Sequence, residues 1–224
     1  MPRTTLIKKI AWEDPEYPAC LSLCLGQHAP PVLYTIGDMS ILHRHALALV
    51  CSVRCPGSII LATYVFATRA APAGPTLIGG FHSPMERQCL EILRHRKVPT
   101  IVCPARSIEK MRLPAVWREA LSANLLLILS PFPPGQRRAT ARLATMRNEF
   151  VTALAERTLI PHARPGSNTE QLARKLIASG KSVFTFHDNE NDGLLKLGAK
   201  PYGGLLQQNE DMVPRTAEPW FGNI

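Results

Sequence analysis

Between residues 46 and 186 the chain sets down six short apolar runs at regular intervals, each of strand length. They are residues 46–51 (Ala-Leu-Ala-Leu-Val-Cys), 76–80, 98–103, 124–129 (Asn-Leu-Leu-Leu-Ile-Leu), 158–160 and 182–186. Runs that are apolar throughout, instead of alternating, mark strands covered on both faces. Stretches with helical spacing lie between them, at 59–70, 85–96, 114–122, 139–155 and 169–179. Ser83-Pro84 supplies an N-cap and a first-turn proline for one of these helices, and Gly180 stops another. The alternation predicts an α/β fold: a Rossmann-like, mostly parallel sheet with helices on both faces. Right-handed crossovers bring the C-terminal ends of such strands to one edge. Ligands bind there, where the strand order reverses.

Three segments follow from the punctuation. Residues 1–41 form a Pro-rich N-terminal lead-in that packs on the sheet: a basic, featureless start over 1–11, a helical turn at 19–25 and one strand at 32–36. Residues 42–200 hold the Rossmann-like domain, closing with a short helix over 191–198, and 201–224 form a polar C-terminal tail. With 46% hydrophobic residues there is ample material for a core, yet no apolar run is long enough to span a bilayer. The start Met1-Pro2-Arg3-Thr4-Thr5 lacks a signal-peptide core, so no membrane association and a cytoplasmic location are expected.

The residues that follow the strands define the expected ligand edge. Ser52, Arg54 and Gly57 come after the first of the six runs; Gly79, Gly80, His82, Ser83 and Glu86 after the second; Arg106 after the third; Ser130 and Pro131 after the fourth. His162, Arg164, Gly166, Ser167 and Thr169 follow the fifth. Small residues, hydroxyls and arginines predominate, which suits phosphate: close backbone approach, neutral donors and guanidinium forks. The turn 165–169 leads into a helix N-terminus, where free N–H groups and the helix dipole favour an anion, although Ser167-Asn168-Thr169 can equally serve as a helix cap.

Charge points the same way. The net charge is +9, and residues 84–150 carry twelve basic side chains against five acids, a net of +7 for that segment. A basic face suits a polyanion, because each neutralised phosphate releases counterions. Within this segment Arg106, Arg137, Arg138 and Arg142 are expected to form an approach surface, and Arg147-Asn148 one wall of the pocket. On this reading Arg147→Ala lowers the salt dependence of binding by about one unit.

Catalytic signatures are missing: there is no Walker loop, Gly-x-Ser-x-Gly elbow or Gly-x-Gly-x-x-Gly. The cysteine pairs Cys20/Cys24 and Cys51/Cys55 lack the tight Gly- or Lys-containing turn of a zinc knuckle, so neither a metal nor a cofactor is expected, and disulfides are not expected in a cytosolic chain.

Several motifs, taken in order, resemble the DNA-processing protein A (DprA/Smf) family of the Rossmann-like superfamily that also holds the LOG phosphoribohydrolases. Tyr17-Pro18 and Ala29-Pro30-Pro31-Val32-Leu33-Tyr34 resemble the family's lead-in, and Val50-Cys51-Ser52-Val53-Arg54 its Val-Gly-Ser-Arg loop. Gly80-Phe81-His82-Ser83-Pro84-Met85-Glu86 is similar to Gly-Leu-Ala-x-Gly-Ile-Asp, with Glu86 in the aspartate position. Arg147-Asn148-Glu149-Phe150 resembles Arg-Asn-Arg-Ile, Gly166-Ser167-Asn168-Thr169 the Gly-Ser-x-x-Thr turn, and Leu197-Gly198-Ala199 the closing Gly-Ala. Cys51 stands where the family has a glycine, Val53 where it has an arginine, and Ser83-Pro84 where it has Arg-Gly. The match corresponds to a short, core-only, diverged member.

The resemblance implies a protein without turnover. It would bind single-stranded DNA in a basic pocket at the strand ends, pass it to a recombinase during uptake or repair, and act as a homodimer. Expected contact residues are Ser52, Arg54, Gly80, His82, Ser83, Arg147, Asn148, Gly166, Ser167 and Thr169. Two alternatives come from other classes. One is a nucleotide-ligand sensor, or a LOG-like enzyme cleaving a nucleoside monophosphate; the second is a scaffold that uses the tail from Lys200. The LOG motif Pro-Gly-Gly-x-Gly-Thr-x-x-Glu separates Thr from Glu, whereas Glu170 follows Thr169 directly, which rotates the acid about 160° around the helix.

Overall fold

A computed structural model of the chain describes residues 7–203. Among these, nine strands form one sheet in the order β1-β2-β6-β5-β4-β3-β7-β8-β9. The strands are β1 (Lys8–Ala11), β2 (Val32–Ile36), β3 (Ala46–Leu49), β4 (Thr76–Gly79), β5 (Thr100–Val102), β6 (Leu126–Ser130), β7 (Arg157–Leu159), β8 (Ser182–Thr185) and β9 (Lys200–Pro201). From β6 to β9 every pairing is parallel; β2 runs antiparallel to β6, and β1 antiparallel to β2. The α/β, Rossmann-like class is as expected.

Among the described residues seven α-helices accompany the strands: α1 (Ala19–Leu25), α2 (Gly57–Arg69), α3 (Pro84–His95), α4 (Ala115–Ser122), α5 (Ala141–Leu154), α6 (Asn168–Ala178) and α7 (Asp192–Lys196). Successive strand side chains point to opposite faces, and this divides the core in two. Ala46, Ala48, Ile78, Ile101, Leu127 and Leu129 face the layer with α1, α5 and α6. Leu47, Leu49, Leu77, Val102, Leu126 and Ile128 face the layer with α2, α3 and α4. Both faces are covered, which is why the central strands read as unbroken apolar runs.

The two ends of the chain depart from expectation. The supposedly featureless start contributes β1, in which Ile10 is fully buried while Lys8 and Lys9 stay exposed. Two lysines in four residues hide a strand from an apolar-run search, and they suit an edge because they discourage further pairing. At the other edge, Lys200–Pro201 pairs with β8, and Tyr202 stacks edge-on to Phe66, Phe184 and Phe186. The start Met1-Pro2-Arg3-Thr4-Thr5 and the tail beyond Gly203 lie outside the described residues. Among the described residues no helix is long and apolar enough to cross a membrane.

Candidate functional site

The chain lays β3, β4, β5 and β6 side by side toward one edge. It then returns through α5 to place β7 on the other side of β3. The order therefore reverses between β3 and β7, and the loops after these two strands flank the expected ligand crevice. They are joined directly. The Ser52 N–H donates to His162 O at 3.0 Å, the Arg164 N–H donates to Ser52 Oγ at 3.1 Å, and Ser52 Oγ lies 3.4 Å from Ser167 Oγ. Beneath them His162 Nδ1 sits 3.1 Å from Asn191 Oδ1, and the Asn191 amide donates to Pro161 O and Phe186 O. His162 and Asn191 are both buried, so this pair braces the floor of the crevice. Arg54 and Arg164 stand exposed at its rim.

The turn into α6 is partly occupied by its own side chains. Ser167 caps the helix by accepting the Glu170 N–H at 3.2 Å, and the Gly166 N–H donates to Glu170 Oε2 at 2.8 Å. Thr169 is buried in the first turn. Of the small and hydroxyl residues in this turn, Ser167 is the one brought against Ser52; Gly166 is exposed with its N–H already bonded to the Glu170 carboxylate.

A second cluster lies under the loop after β4. Arg147, midway along α5, is 1% exposed, so it lies beneath the surface as a brace. Its Nη1 donates to Cys103 O at 3.2 Å, its Nε donates to Asn148 Oδ1 at 2.8 Å, and its Nη2 approaches His82 Nδ1 at 3.2 Å. The guanidinium fills the space a side chain at position 80 would need: a Cβ on Gly80 would fall 1.1 Å from Nη1. That close approach is what requires glycine there. Phe81 adopts a left-handed φ of 46° with its ring buried, so it is not available as a stacking platform.

Glu86 completes the cluster. Its carboxylate accepts the N–H groups of His82 and Ser83 at 3.2 and 3.0 Å, and Ser83 Oγ accepts the Glu86 N–H in return, closing a capping box at the start of α3. His82 Nδ1 lies 2.9 Å from Glu86 Oε2 and 3.2 Å from Arg147 Nη2, between the carboxylate and the guanidinium. Burial alone would raise the Glu86 pKa, but the hydrogen bond and charge of His82, the Ser83 N–H and the charge of Arg147 outweigh it and hold the carboxyl below the usual range. Burial lowers the Arg147 pKa, opposed by Glu86 and Cys103, and the guanidinium stays charged. The negative charge of Glu86 nearby is thus part of what keeps an arginine charged inside the fold.

Three of the arginines expected on the approach surface gather elsewhere on the same edge. A groove of about 1090 Å³ runs between the lead-in (Leu25, Pro30, Pro31) and the segment joining β6 to α5. Arg137, Arg138, Arg142 and Lys175 line it, with Met146 and Phe132 among its apolar residues. The acid in its lining, Glu149, is paired with Lys175 at 2.9 Å. Arg106 is half-buried outside the lining; the neighbouring Ser107 N–H donates to Gln136 O and ties that loop to the groove wall. Between groove and crevice, Asn168 Nδ2 donates to Thr145 Oγ1 at 3.3 Å, one residue from Ser167.

The structure thus brings together Ser52 and Ser167 in one cluster, Gly80, His82, Ser83, Arg147 and Asn148 in a second, and Arg137, Arg138 and Arg142 in a third. Asn191, Cys103 and the apolar side of the groove carry no signal in the sequence. Asn191 resembles any loop asparagine, and the groove needs α1 to pack on α5, a contact between distant segments. Among the described residues no group of three or more potential ligands is placed to hold a metal.

No protein among the curated sequences matches the chain. The fold is similar to the X-ray structure of DNA processing protein A from Streptococcus pneumoniae, with a TM-score of 0.70 and 18% identity over 87% of this chain and 70% of that one. It is similar also to DNA processing protein A from Helicobacter pylori, a structure described for its single-stranded DNA binding mode, with a TM-score of 0.71 and 20% identity over 90% of this chain and 93% of that one. The sequence model of the DNA recombination-mediator protein A family matches residues 8–214, nearly the whole chain. By that match the chain belongs to the DNA recombination-mediator protein A family.

Proposed function

We propose that the protein binds single-stranded DNA along the ligand edge of its sheet and does not turn it over. One phosphate sits at the Ser52–Ser167 crevice with Arg54 and Arg164 at its rim, and the strand continues past Asn168 and Thr145 into the arginine-lined groove. The observation that carries this reading is the groove. Four cations and one already neutralised acid surround a partly apolar trough, the combination that holds phosphates outside and bases inside. The Helicobacter pylori protein of similar fold, which binds single-stranded DNA, supports it. The buried Arg147–Glu86–His82 cluster sets the shape of the loop after β4 and does not itself grip phosphate.

Action without turnover is supported by where the acids lie. Glu170 bonds the Gly166 N–H and Arg174, and Glu86 is 2% exposed within a capping box, so both are spent on structure. In this reading the protein is cytoplasmic, acts as a homodimer and passes its strand to a recombinase. Fluorescence anisotropy with labelled oligo-dT and with single nucleotides, at two salt concentrations, tests the binding. Tight, salt-sensitive oligonucleotide binding is expected; binding confined to mononucleotides would contradict it.

A further inference from the structure

Residues 204–224 lie outside the described residues, yet the fold fixes where they begin. β9 runs parallel to β8, and Tyr202 just after it is held edge-on against Phe66, Phe184 and Phe186. The chain is therefore handed on at the C-terminal end of the strands, the edge that carries the crevice and the groove. That edge shows one combination twice. At the crevice, exposed Arg54 and Arg164 have exposed Val53 beside them in the loop after β3; in the groove, Arg138 and Arg142 have Met146. Val53 and Met146 are among the few large apolar side chains left exposed.

The sequence of 204–224 carries the complement, also twice. Glu210-Asp211 is followed by Met212-Val213, and Glu218-Pro219 by Trp220-Phe221, with Arg215 the single base in the segment. Length decides whether the two patterns can meet. Neighbouring strands are about 4.8 Å apart, so the seam between β7 and β3 lies about 12 Å from β9, and β6 about 29 Å from it. An extended chain covers about 3.3 Å per residue, which gives about 23 Å from Gly203 to Glu210 and about 50 Å from Gly203 to Glu218. Asp211 and Glu218 are separated by up to about 23 Å on the same measure, enough for the roughly 17 Å between the seam and β6. Both acidic steps therefore reach a cationic one, in the same order along the edge.

We propose that residues 210–221 dock along the ligand edge of their own chain and compete there with single-stranded DNA, an inference that rests on the binding function proposed above. Glu210-Asp211 meets Arg54 and Arg164 at the crevice, and Glu218 meets the groove arginines. Carboxylates pair with guanidinium forks in the same way as phosphates. Trp220-Phe221 lies against Met146, where an aromatic ring on a thioether takes the place of a base. A DNA strand enters by displacing the segment, so part of its binding energy goes into that exchange.

The full chain with p-benzoylphenylalanine in place of Trp220 tests the placement, because benzophenone inserts preferentially beside methionine sulfur. Irradiation is expected to link it to tryptic peptide 143–147, which holds Met146, and saturating oligo-dT is expected to suppress the link. Mixing isotope-labelled and unlabelled chains separates a link within one chain from a link between two. Links between two chains give the edge to a second copy's segment and overturn the proposal, as does the lack of any link to 143–147. Affinity for oligo-dT at low salt is expected to rise about tenfold in E210Q/D211N/E218Q, the scale of three exposed ion pairs. It is expected to rise about threefold in W220A/F221A, which changes no charge. Tail charge acting from a distance would raise the first and leave the second at the wild-type value, and that result overturns the proposal. A wild type and variants that all fail to bind oligo-dT contradict the binding function itself, and the competition with it.

Discussion

Arginines at positions 142 and 147 stand five residues apart on α5 and meet opposite environments. Arg142 is exposed on the groove wall, and Arg147 is buried against Gly80, Cys103 and His82. Arg147→Ala empties a buried site, removes a positive charge that acts on Glu86 and leaves the Cys103 carbonyl short of a donor. Urea denaturation is expected to show a loss of about 3–5 kcal/mol. Arg142→Ala is expected to change stability by less than about 0.5 kcal/mol and to lower the salt slope of DNA binding by about 0.7. The sequence-based expectation that Arg147 itself sets the salt slope thus moves to its exposed neighbour. Glu86 supplies a pH dependence. Its folded pKa is held below that of an unfolded glutamate, about 4.3, so its interactions contribute fully above that value and are lost as pH falls through the folded pKa. Stability followed by urea titration from neutral pH into acid should fall more steeply in the wild type than in Glu86→Gln. Parallel acid limbs would exclude Glu86 as a source of the acid sensitivity.

At the scale of elements, the central strands are legible in the sequence because each is covered on both faces and must be apolar throughout. Runs 46–51, 76–80 and 124–129 correspond to β3, β4 and β6 within a residue or two at each end. The edge strand at the start is not legible, for the converse reason. In β1 one residue in four needs burial, so periodicity has a single position, Ile10, to act on. That residue is fully buried against the α1 and α5 layer, and Ile10→Ala should cost about 2–4 kcal/mol in urea denaturation. A featureless start would tolerate the change. The site divides in the same way. Residues placed by their own strand end, such as Ser52 and Gly80, can be assigned to the ligand edge from the alternation alone. Which polar groups point inward cannot, because burial of Arg147 depends on Gly80, Cys103 and Glu86 arriving from three other segments. The capping role of Ser167 is legible, since a serine before a helix with glutamate three residues on is a local signal.

For the whole molecule, a topological fact meets an electrostatic one. The return crossover through α5 puts the strand reversal between β3 and β7. The helix that makes this crossover also carries one wall of the arginine groove, so crevice and groove share a scaffold and lie on one edge. The family membership is consistent with such an edge serving DNA. In the proposed binding mode one strand of DNA occupies both parts. The salt dependence of oligo-dT affinity, measured for the wild type and for the triple variant R137A/R138A/R142A, tests this without intermediate steps. The triple variant is expected to fold normally and to show a log–log salt slope shallower by about 2, three phosphate contacts at about 0.7 each for a single strand. A folded triple variant with the slope and affinity of the wild type would contradict it.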